Sequence, residues 1–284
     1  MTLVLIIIGL HLAVCLACVL TSAAINAVAR GEPIRISREW VSYLVREWAT
    51  VTLFIPMLAL GRGPGNPRLS QMPATSHPPV LLVPGYGLNR SSLWFLGRFL
   101  ECRGWNWTWS TSLRQRDATI PKMAADLMDA IQKLRRITGA DRIQIVGHSM
   151  GGIVASYAIN HLDGAQYVDQ LVTLGTPWRG TDMHIFGVGR IASEMAPSSE
   201  VLTELAASSV PLTAIWSWED GVVCPPENAR PLEHANTQDA PKVQSISIPK
   251  LGHMEMLLSA RVHRAVADAL SQSATPTKNE PDSP

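Results

Sequence analysis

The chain has 284 residues, a length that suits one compact catalytic domain with extra terminal segments and does not suggest two large domains. The 24 Lys and Arg residues nearly balance the 23 Asp and Glu residues, so the formal net charge is +1. Because no basic stripe stands out along the sequence, nucleic acid is excluded as an expected partner. Hydrophobic residues make up 46% of the chain and are concentrated at the N-terminus.

Residues 1–29 form the most apolar stretch of the sequence. No charged side chain occurs between Leu3 and Ala29, and this run is longer than the roughly 20 residues that cross a bilayer. We therefore predict a transmembrane anchor at residues 1–29. A cleaved signal peptide is the alternative, because Ala27-Val28-Ala29 has the small-x-small pattern of a cleavage site. No Lys or Arg precedes the apolar run, however, which favours the anchor.

Residues 30–60 contain a second helical pattern, which Pro56 is expected to end. Arg46 and Glu47 lie on its polar side, and an Arg near the centre of a span costs about 2.5 to 3.5 kcal/mol. The pattern therefore favours an amphipathic helix in the headgroup region over a second membrane span. A helix packed on the catalytic domain remains a third possibility. The apolar positions recur at helical spacing: Trp40, Val41, Leu44, Val45, Trp48, Val51 and Ile55.

The membrane topology depends on this second helix. Arg30, Arg35 and Arg38 follow the anchor, and the positive-inside tendency places that flank in the cytoplasm. A single-pass protein would then have its catalytic domain in the cytoplasm. A two-pass protein would have that domain on the outer side.

Two further segments lie outside the expected catalytic domain. Residues 61–78 are rich in Gly and Pro and lack hydrophobic periodicity, which predicts a linker. Residues 271–284 are polar, contain three prolines and are expected to form a disordered tail.

Residues 79–270 alternate short apolar runs with helical patterns, as in a parallel sheet covered by helices. Helices are predicted from Pro121 to Gly139, after Ser149, and from Met256 to Leu270. Residues 178–208 break the alternation and are a candidate lid. Six strands are predicted: Val80–Val83, Trp107–Ser112, Arg142–Val146, Gln170–Leu174, Leu212–Trp218 and Val243–Ile248.

The motif with the clearest chemistry is Gly147-His148-Ser149-Met150-Gly151. It follows a predicted strand and precedes a predicted helix, which is the context of a nucleophile elbow. The glycines leave room for a sharp turn that exposes the serine hydroxyl at the edge of the sheet. Ser149 is therefore the candidate nucleophile.

A serine nucleophile needs a histidine base that is oriented by a carboxylate. The acid and then the histidine are expected after the serine in chain order, and His253 follows the last predicted strand. His263 and His234 are expected at the surface, and His148 is interpreted as part of the elbow. Asp220 lies just past the end of a strand and is the preferred acid, with Glu219 as the alternative.

The oxyanion that forms during acyl transfer needs two preorganised hydrogen-bond donors. The Met150 N–H supplies the first, because it directly follows the nucleophile. The Tyr86 N–H is the candidate for the second, since it lies in the loop after the first strand of the domain. No loop has the regular ligand spacing of a calcium site, so no metal is predicted, although scattered carboxylates leave a structural calcium open.

With these motifs the chain resembles bacterial lipases of the α/β-hydrolase superfamily over about residues 79–270. The resemblance implies an α/β-hydrolase fold, a mostly parallel sheet with helices on both faces, here preceded by the N-terminal transmembrane helix. It also implies acyl-ester hydrolysis without an organic cofactor, with Ser149, Asp220 and His253 as triad and Tyr86 with Met150 as oxyanion hole. Its motifs are Val83-Pro84-Gly85-Tyr86-Gly87, Gly147-His148-Ser149-Met150-Gly151-Gly152, Leu174-Gly175-Thr176-Pro177, Asp220-Gly221-Val222-Val223 and Gly252-His253.

Three functional hypotheses follow. The first is a serine hydrolase that cleaves carboxylic esters, specifically lipid acyl esters, at a bacterial inner membrane through an acyl-enzyme on Ser149. The second is an acyltransferase or thioesterase, because the same acyl-enzyme can pass its acyl group to an alcohol or form from a thioester. The third is a non-catalytic protein that retains the fold, which the complete candidate triad argues against.

Overall fold

The structure is a computed structural model of the 284-residue chain. Most of the predicted anchor (1–29), linker (61–78) and tail (271–284) lies outside the described residues, as does His234. Within the anchor, residues 20–25 are described and helical. The described residues are 13, 16, 17, 20–25, 27, 28, 38–61, 77–116, 118–205, 208–231 and 241–272.

Helix α1 runs from Arg38 to Leu60, as the helical spacing predicts. The expectation that Pro56 ends this helix is wrong, because the helix continues to Leu60. Proline removes one backbone donor, but tertiary contacts hold the final turn. The side chains of Asn89 and Ser91 donate to carbonyl groups of that turn, at 2.7 and 2.6 Å. These bonds satisfy acceptors that a helix end leaves unpaired.

Helix α1 buries Glu47 and Phe54 against the protein, whereas several of its other apolar side chains face outward. Val45 and Ile55 are 55% and 51% exposed, whereas Glu47 is 7% exposed and Phe54 only 1%. This helix therefore packs on the α/β domain, which was the third possibility. Within the described residues, no helix has both the length and the apolar character that a membrane span requires. The second-span alternative for residues 38–60 is accordingly not supported.

Six parallel strands form one sheet in the order β2-β1-β3-β4-β5-β6. From β1 the chain first adds β2 on one side and then β3 on the other, so a topological switch point lies between β1 and β3. Such switch points open a crevice at the carboxyl ends of the strands. The strands are β1 (Val80–Val83), β2 (Thr108–Ser110), β3 (Ile143–His148), β4 (Val168–Leu174), β5 (Leu212–Trp216) and β6 (Val243–Ser247).

All six predicted strands are present, with differences at their ends. Strand β5 stops at Trp216 rather than Trp218, because the Asp220 N–H bonds to the Ser217 carbonyl at 3.3 Å and turns the chain. Strand β3 extends two residues further than predicted, to His148, where it pairs with Leu174 of β4.

Helices cover both faces of the sheet. Along β1, Leu81 and Val83 belong to one buried cluster, with α3 and α4, whereas Val80 and Leu82 belong to the other, with α1, α2 and α7. This alternation follows from the two-residue period of a strand. The helices are α2 (Trp94–Glu101), α3 (Ile120–Thr138), α4 (Met150–His161), α5 (Arg190–Glu194), α6 (Glu200–Glu204) and α7 (Ala260–Gln272).

The candidate lid, residues 178–208, folds as a 3-10 helix at Asp182–Phe186 followed by α5 and α6. A hydrogen bond connects it to the rest of the domain: the Glu194 carboxylate accepts the Ile120 N–H at 2.7 Å. Its buried apolar side chains pack in the cluster of α3 and α4. Movement of this segment as a lid remains a prediction.

The packing of α1 can be tested with two adjacent side chains of opposite exposure. Replacing Phe54 by Ala is expected to lower the free energy of unfolding by about 3 to 5 kcal/mol, because a large buried side chain is lost. Replacing Ile55 by Ala is expected to change it by no more than about 0.5 kcal/mol. Denaturant unfolding of the full chain measures both values, and equal values would show that α1 does not pack as described.

Candidate active site

Ser149 lies at the sharp turn between β3 and α4. Its φ of 54° and ψ of −128° are strained for a residue with a side chain. The turn is packed so tightly that a Cβ at Gly151 would lie 2.5 Å from the Val83 carbonyl oxygen, and one at Gly147 would lie 2.7 Å from the backbone of Gly152. The Gly-x-Ser-x-Gly spacing thus reflects a steric requirement of this turn.

Two loops that follow β5 and β6 bring Asp220 and His253 together. His253 Nδ1 lies 2.7 Å from Asp220 Oδ2, and both residues are almost fully buried. The other carboxylate oxygen, Oδ1, accepts the N–H groups of Val222 and Val223, each at 2.8 Å. The carboxylate is therefore fixed by its own loop and presents one oxygen to the imidazole.

The other candidate acids and bases have different surroundings. The Glu219 carboxylate accepts the Lys250 N–H at 2.7 Å and the Ser217 hydroxyl at 3.0 Å, so it joins two loops without contacting His253. The expectation that His263 lies at the surface is wrong. It is 5% exposed, and its Nε2 lies 2.9 Å from the Leu257 carbonyl oxygen, because α7 turns that face toward α2.

Ser149 and His253 line the same cavity, which has a volume of about 240 Å³. Across the described residues, no hydrogen bond joins the Ser149 hydroxyl to His253; such catalytic bonds often tighten only when a substrate binds. The walls are mainly apolar and come in part from the candidate lid: Leu88, Pro177, Met183, Phe186, Met195, Val222, Val223 and Met254.

The two candidate oxyanion donors flank the nucleophile. Met150 is the first residue of α4, where backbone N–H groups have no partner within the helix. Tyr86 follows Gly85, and a Cβ at Gly85 would lie only 2.9 Å from the Ser149 Cβ. The Tyr86 hydroxyl also donates to the Val188 carbonyl at 2.8 Å and accepts its N–H at 2.7 Å, which connects this loop to the candidate lid.

Opposing effects set the pKa of His253. Burial by itself lowers that pKa, but the Asp220 charge and hydrogen bond, together with the Glu47 charge, raise it above its ordinary value. Burial lowers the pKa of His148 well below its ordinary value, and the nearby His253 lowers it further. The two rings lie 4.8 Å apart. His253 is thus the imidazole favoured to accept a proton.

Sequence reasoning missed three residues near this site. Glu47, assigned to the solvent-facing side of α1, bonds to the loop that follows His253. The hydroxyl of Tyr43, one turn earlier, packs against Gly221, where an added Cβ would lie 2.4 Å from it. His184 lines the cavity from the candidate lid. The amphipathic pattern of α1 carried no signal for the first two, because such a pattern does not specify which partner each face meets.

Comparisons with known proteins agree with this architecture. Residues 118–188, which include the turn at Ser149, match the model of a protein family described as a PGAP1-like alpha/beta domain. Lipase B from Aspergillus fumigatus superimposes with a TM-score of 0.56 at 16% identity, over 72% of this chain and 55% of the fungal chain. The mature lipase BlEst2 from Bacillus licheniformis gives 0.55 at 16% identity, over 70% of this chain and 94% of that chain.

The chain has the α/β-hydrolase fold. The predicted α/β-hydrolase fold is therefore confirmed, whereas the N-terminal transmembrane helix stays a prediction, and at this identity the likeness establishes the fold alone. The chain spans about half the length of the Aspergillus enzyme. One of the two similar structures is fungal and one is bacterial, so they do not assign the chain to bacterial lipases.

The role of the acid can be tested with a matched pair of variants. Replacing Asp220 by Asn is expected to lower kcat by about 10⁴-fold, because the imidazole loses its orienting carboxylate. The base must be neutral to act, so the raised pKa of His253 places the acid limb of kcat/KM above about pH 6.5. That limb should move to lower pH in the variant.

Glu219→Gln serves as the control for this prediction and should retain most of the activity, since Glu219 does not contact His253. The measurement is kcat/KM for a p-nitrophenyl ester as a function of pH. A large loss in Glu219→Gln with little loss in Asp220→Asn would contradict the assignment of the acid.

Proposed function

We propose that this α/β-hydrolase is a serine hydrolase that cleaves carboxylic esters through an acyl-enzyme on Ser149. The observation that carries the proposal is the buried 2.7 Å contact of His253 with Asp220 at the wall of a cavity that Ser149 also lines. A strained nucleophile, a base with a raised pKa and a fixed carboxylate are the parts that acyl transfer to serine needs.

In this proposal His253 removes the proton from the Ser149 hydroxyl while the serine oxygen attacks the ester carbonyl carbon. Asp220 orients the imidazole and stabilises its positive charge. The N–H groups of Tyr86 and Met150 stabilise the oxyanion. When the intermediate collapses, His253 gives its proton to the departing alcohol, and the acyl group stays on Ser149. Water then attacks the acyl-enzyme by the same steps and releases the carboxylic acid.

Lipid acyl esters are the proposed substrates. The cavity beside Ser149 is lined mainly by apolar side chains, which suits an acyl chain rather than a charged group. At its entrance Phe186 and Val222 are 47% and 40% exposed, and the neighbouring Ile185 and Val188 are 63% and 82% exposed. Exposed apolar side chains around a site often mark a surface that contacts lipid or another protein.

We further propose that residues 1–29 anchor the enzyme in a membrane close to the active site. The absence of charge between Leu3 and Ala29 supports the anchor. Near its end, the Ser22 hydroxyl lies 3.9 Å from the Cys224 sulfur, four residues after Asp220. The exposed apolar side chains of α1, such as Val45 and Ile55, suit the headgroup region.

The substrate class can be tested with p-nitrophenyl esters of graded chain length and the detergent-purified full chain. Hydrolysis of long-chain esters in preference to short ones is expected, because the cavity is apolar. Ser149→Ala is expected to lower kcat by about 10⁶-fold, since the nucleophile is lost. Activity confined to short chains would contradict the lipid assignment, and release of a transferred ester instead of free acid would indicate an acyltransferase.

The anchor can be tested with two charges placed in the apolar run. The wild-type chain is expected to stay in the membrane pellet after an alkaline carbonate wash. Val14→Arg combined with Val19→Arg should release it, because each Arg near the centre of a span costs about 2.5 to 3.5 kcal/mol. Arg substitutions at the exposed Thr203 and Glu204 provide the matched control. Retention of the double variant in the pellet would contradict the anchor.

A further inference from the structure

A carboxylate from outside the triad contacts the loop that carries the catalytic histidine. The Glu47 carboxylate, on α1, accepts the N–H groups of Met254 and Glu255 at 2.8 and 3.1 Å. These are the two residues after His253. Glu47 is 7% exposed, and a Cβ at Gly252 would lie 2.5 Å from its carboxyl carbon. The carboxylate therefore packs against the backbone on both sides of His253.

Helix α1 contacts both loops of the Asp220–His253 pair. Tyr43 precedes Glu47 by four residues, so the two side chains lie on one face of the helix. The Tyr43 hydroxyl packs against Gly221, directly after Asp220, where an added Cβ would lie only 2.4 Å from the hydroxyl oxygen. The helix thus connects the acid loop and the base loop, whose spacing determines the contact between the imidazole and its carboxylate.

Side chains around Glu47 complete the contact. Arg46 Nε donates to Glu255 Oε1 at 2.7 Å, and the other Glu255 oxygen accepts the Gly252 N–H at 2.9 Å. Arg46 thus pairs with Glu255 rather than Glu47. The ionisable and charged groups around the Glu47 carboxylate are Tyr43, Arg46, Asp220, His253 and Glu255.

Protonated His253 is a cation whose charge acts on the Glu47 carboxylate and lowers its pKa. Burial, with the charges of Asp220 and Glu255, raises the pKa of Glu47 to about 7, while the Met254 N–H and His253 act in the opposite direction. Reciprocally, the Glu47 charge contributes to the raised pKa of His253. A buried carboxylate is costly unless hydrogen bonds or an opposite charge compensate for it, and here that compensation comes from the His253 loop.

We propose that Glu47 is a positioning residue for His253. It holds the backbone at residues 252–255 in place, and its negative charge favours the imidazolium that forms when His253 takes the Ser149 proton. This inference rests on the proposed function, and it adds to the triad a carboxylate that lies outside the chain segment resembling hydrolases, residues 79–270.

The test uses the full chain as wild type, Glu47→Gln and Glu47→Ala. The Gln variant keeps the side-chain volume and one carbonyl acceptor but loses the charge, whereas the Ala variant loses both contacts. Asp268→Asn and Asp268→Ala are the matched controls, because Asp268 is an exposed carboxylate on α7, outside the cavity and the candidate lid. The readout is the rate at which a fluorophosphonate labels Ser149 across a range of pH, together with kcat/KM for a p-nitrophenyl ester.

Both rates are expected to fall about tenfold in Glu47→Gln and about 10²-fold in Glu47→Ala, because small displacements of catalytic groups have effects of that size. The acid limb of both pH profiles should move to lower pH by about half a unit or more in the two Glu47 variants, since loss of a nearby negative charge lowers a histidine pKa. The Asp268 variants should match the wild type in rate and in pH profile.

The outcomes separate this inference from the proposed function. If the wild type is neither labelled nor active, the proposed function fails. If the wild type reacts and Glu47→Gln matches it in rate and acid limb, the positioning role is overturned. A slower Glu47→Gln with an unmoved acid limb also overturns it, because loss of packing alone would explain that result. Thermal melting confirms folding, and Glu47→Gln alone decides the test if Glu47→Ala does not fold.

Discussion

The hydrogen bond between His253 Nδ1 and Asp220 Oδ2 spans 33 residues of sequence and is buried from water. In such surroundings an unpaired charge is costly, so the bond requires both loops to hold their groups in place. Asp220 meets that requirement within its own loop, through two backbone N–H groups. The loop of His253 depends on another part of the chain, through the Glu47 carboxylate on α1.

The sheet explains why these groups meet at one edge. All neighbouring strands are parallel, so the loops that follow β1, β3, β5 and β6 leave the sheet at the same end. Ser149 follows β3 beside the switch point, where the loop of Tyr86 approaches closely enough that only glycine fits at position 85. The candidate lid closes one side of the resulting cavity and is held to Tyr86 by two hydrogen bonds.

Helix α1 has its polar contacts on the inside and many of its apolar side chains on the outside. Glu47 and Thr50 are buried, whereas Val41, Val45 and Ile55 are exposed. In a water-facing helix this arrangement would be unfavourable, because apolar surface would remain hydrated. This arrangement suits a helix that lies between the α/β domain and a lipid surface. Through α1, the proposed membrane attachment would be connected to the loop that carries His253.

The sequence alone predicted the α/β-hydrolase fold and the candidates Ser149 and His253, and it favoured Asp220 over Glu219 as the acid. Local signals carried this information: the two-residue and helical periods of the apolar residues, the glycines around Ser149, and the chain order of Asp220 and His253 after it. These signals are strong because each depends on residues that are close in sequence. Other features depend on contacts between distant parts of the chain. In the folded protein Asp220 contacts His253, whereas Glu219 contacts Lys250. Helix α1 continues past Pro56 because distant side chains hold its last turn, and Glu47 binds backbone groups 207 and 208 residues away. Such contacts depend on how separate elements pack, which an amphipathic pattern does not specify.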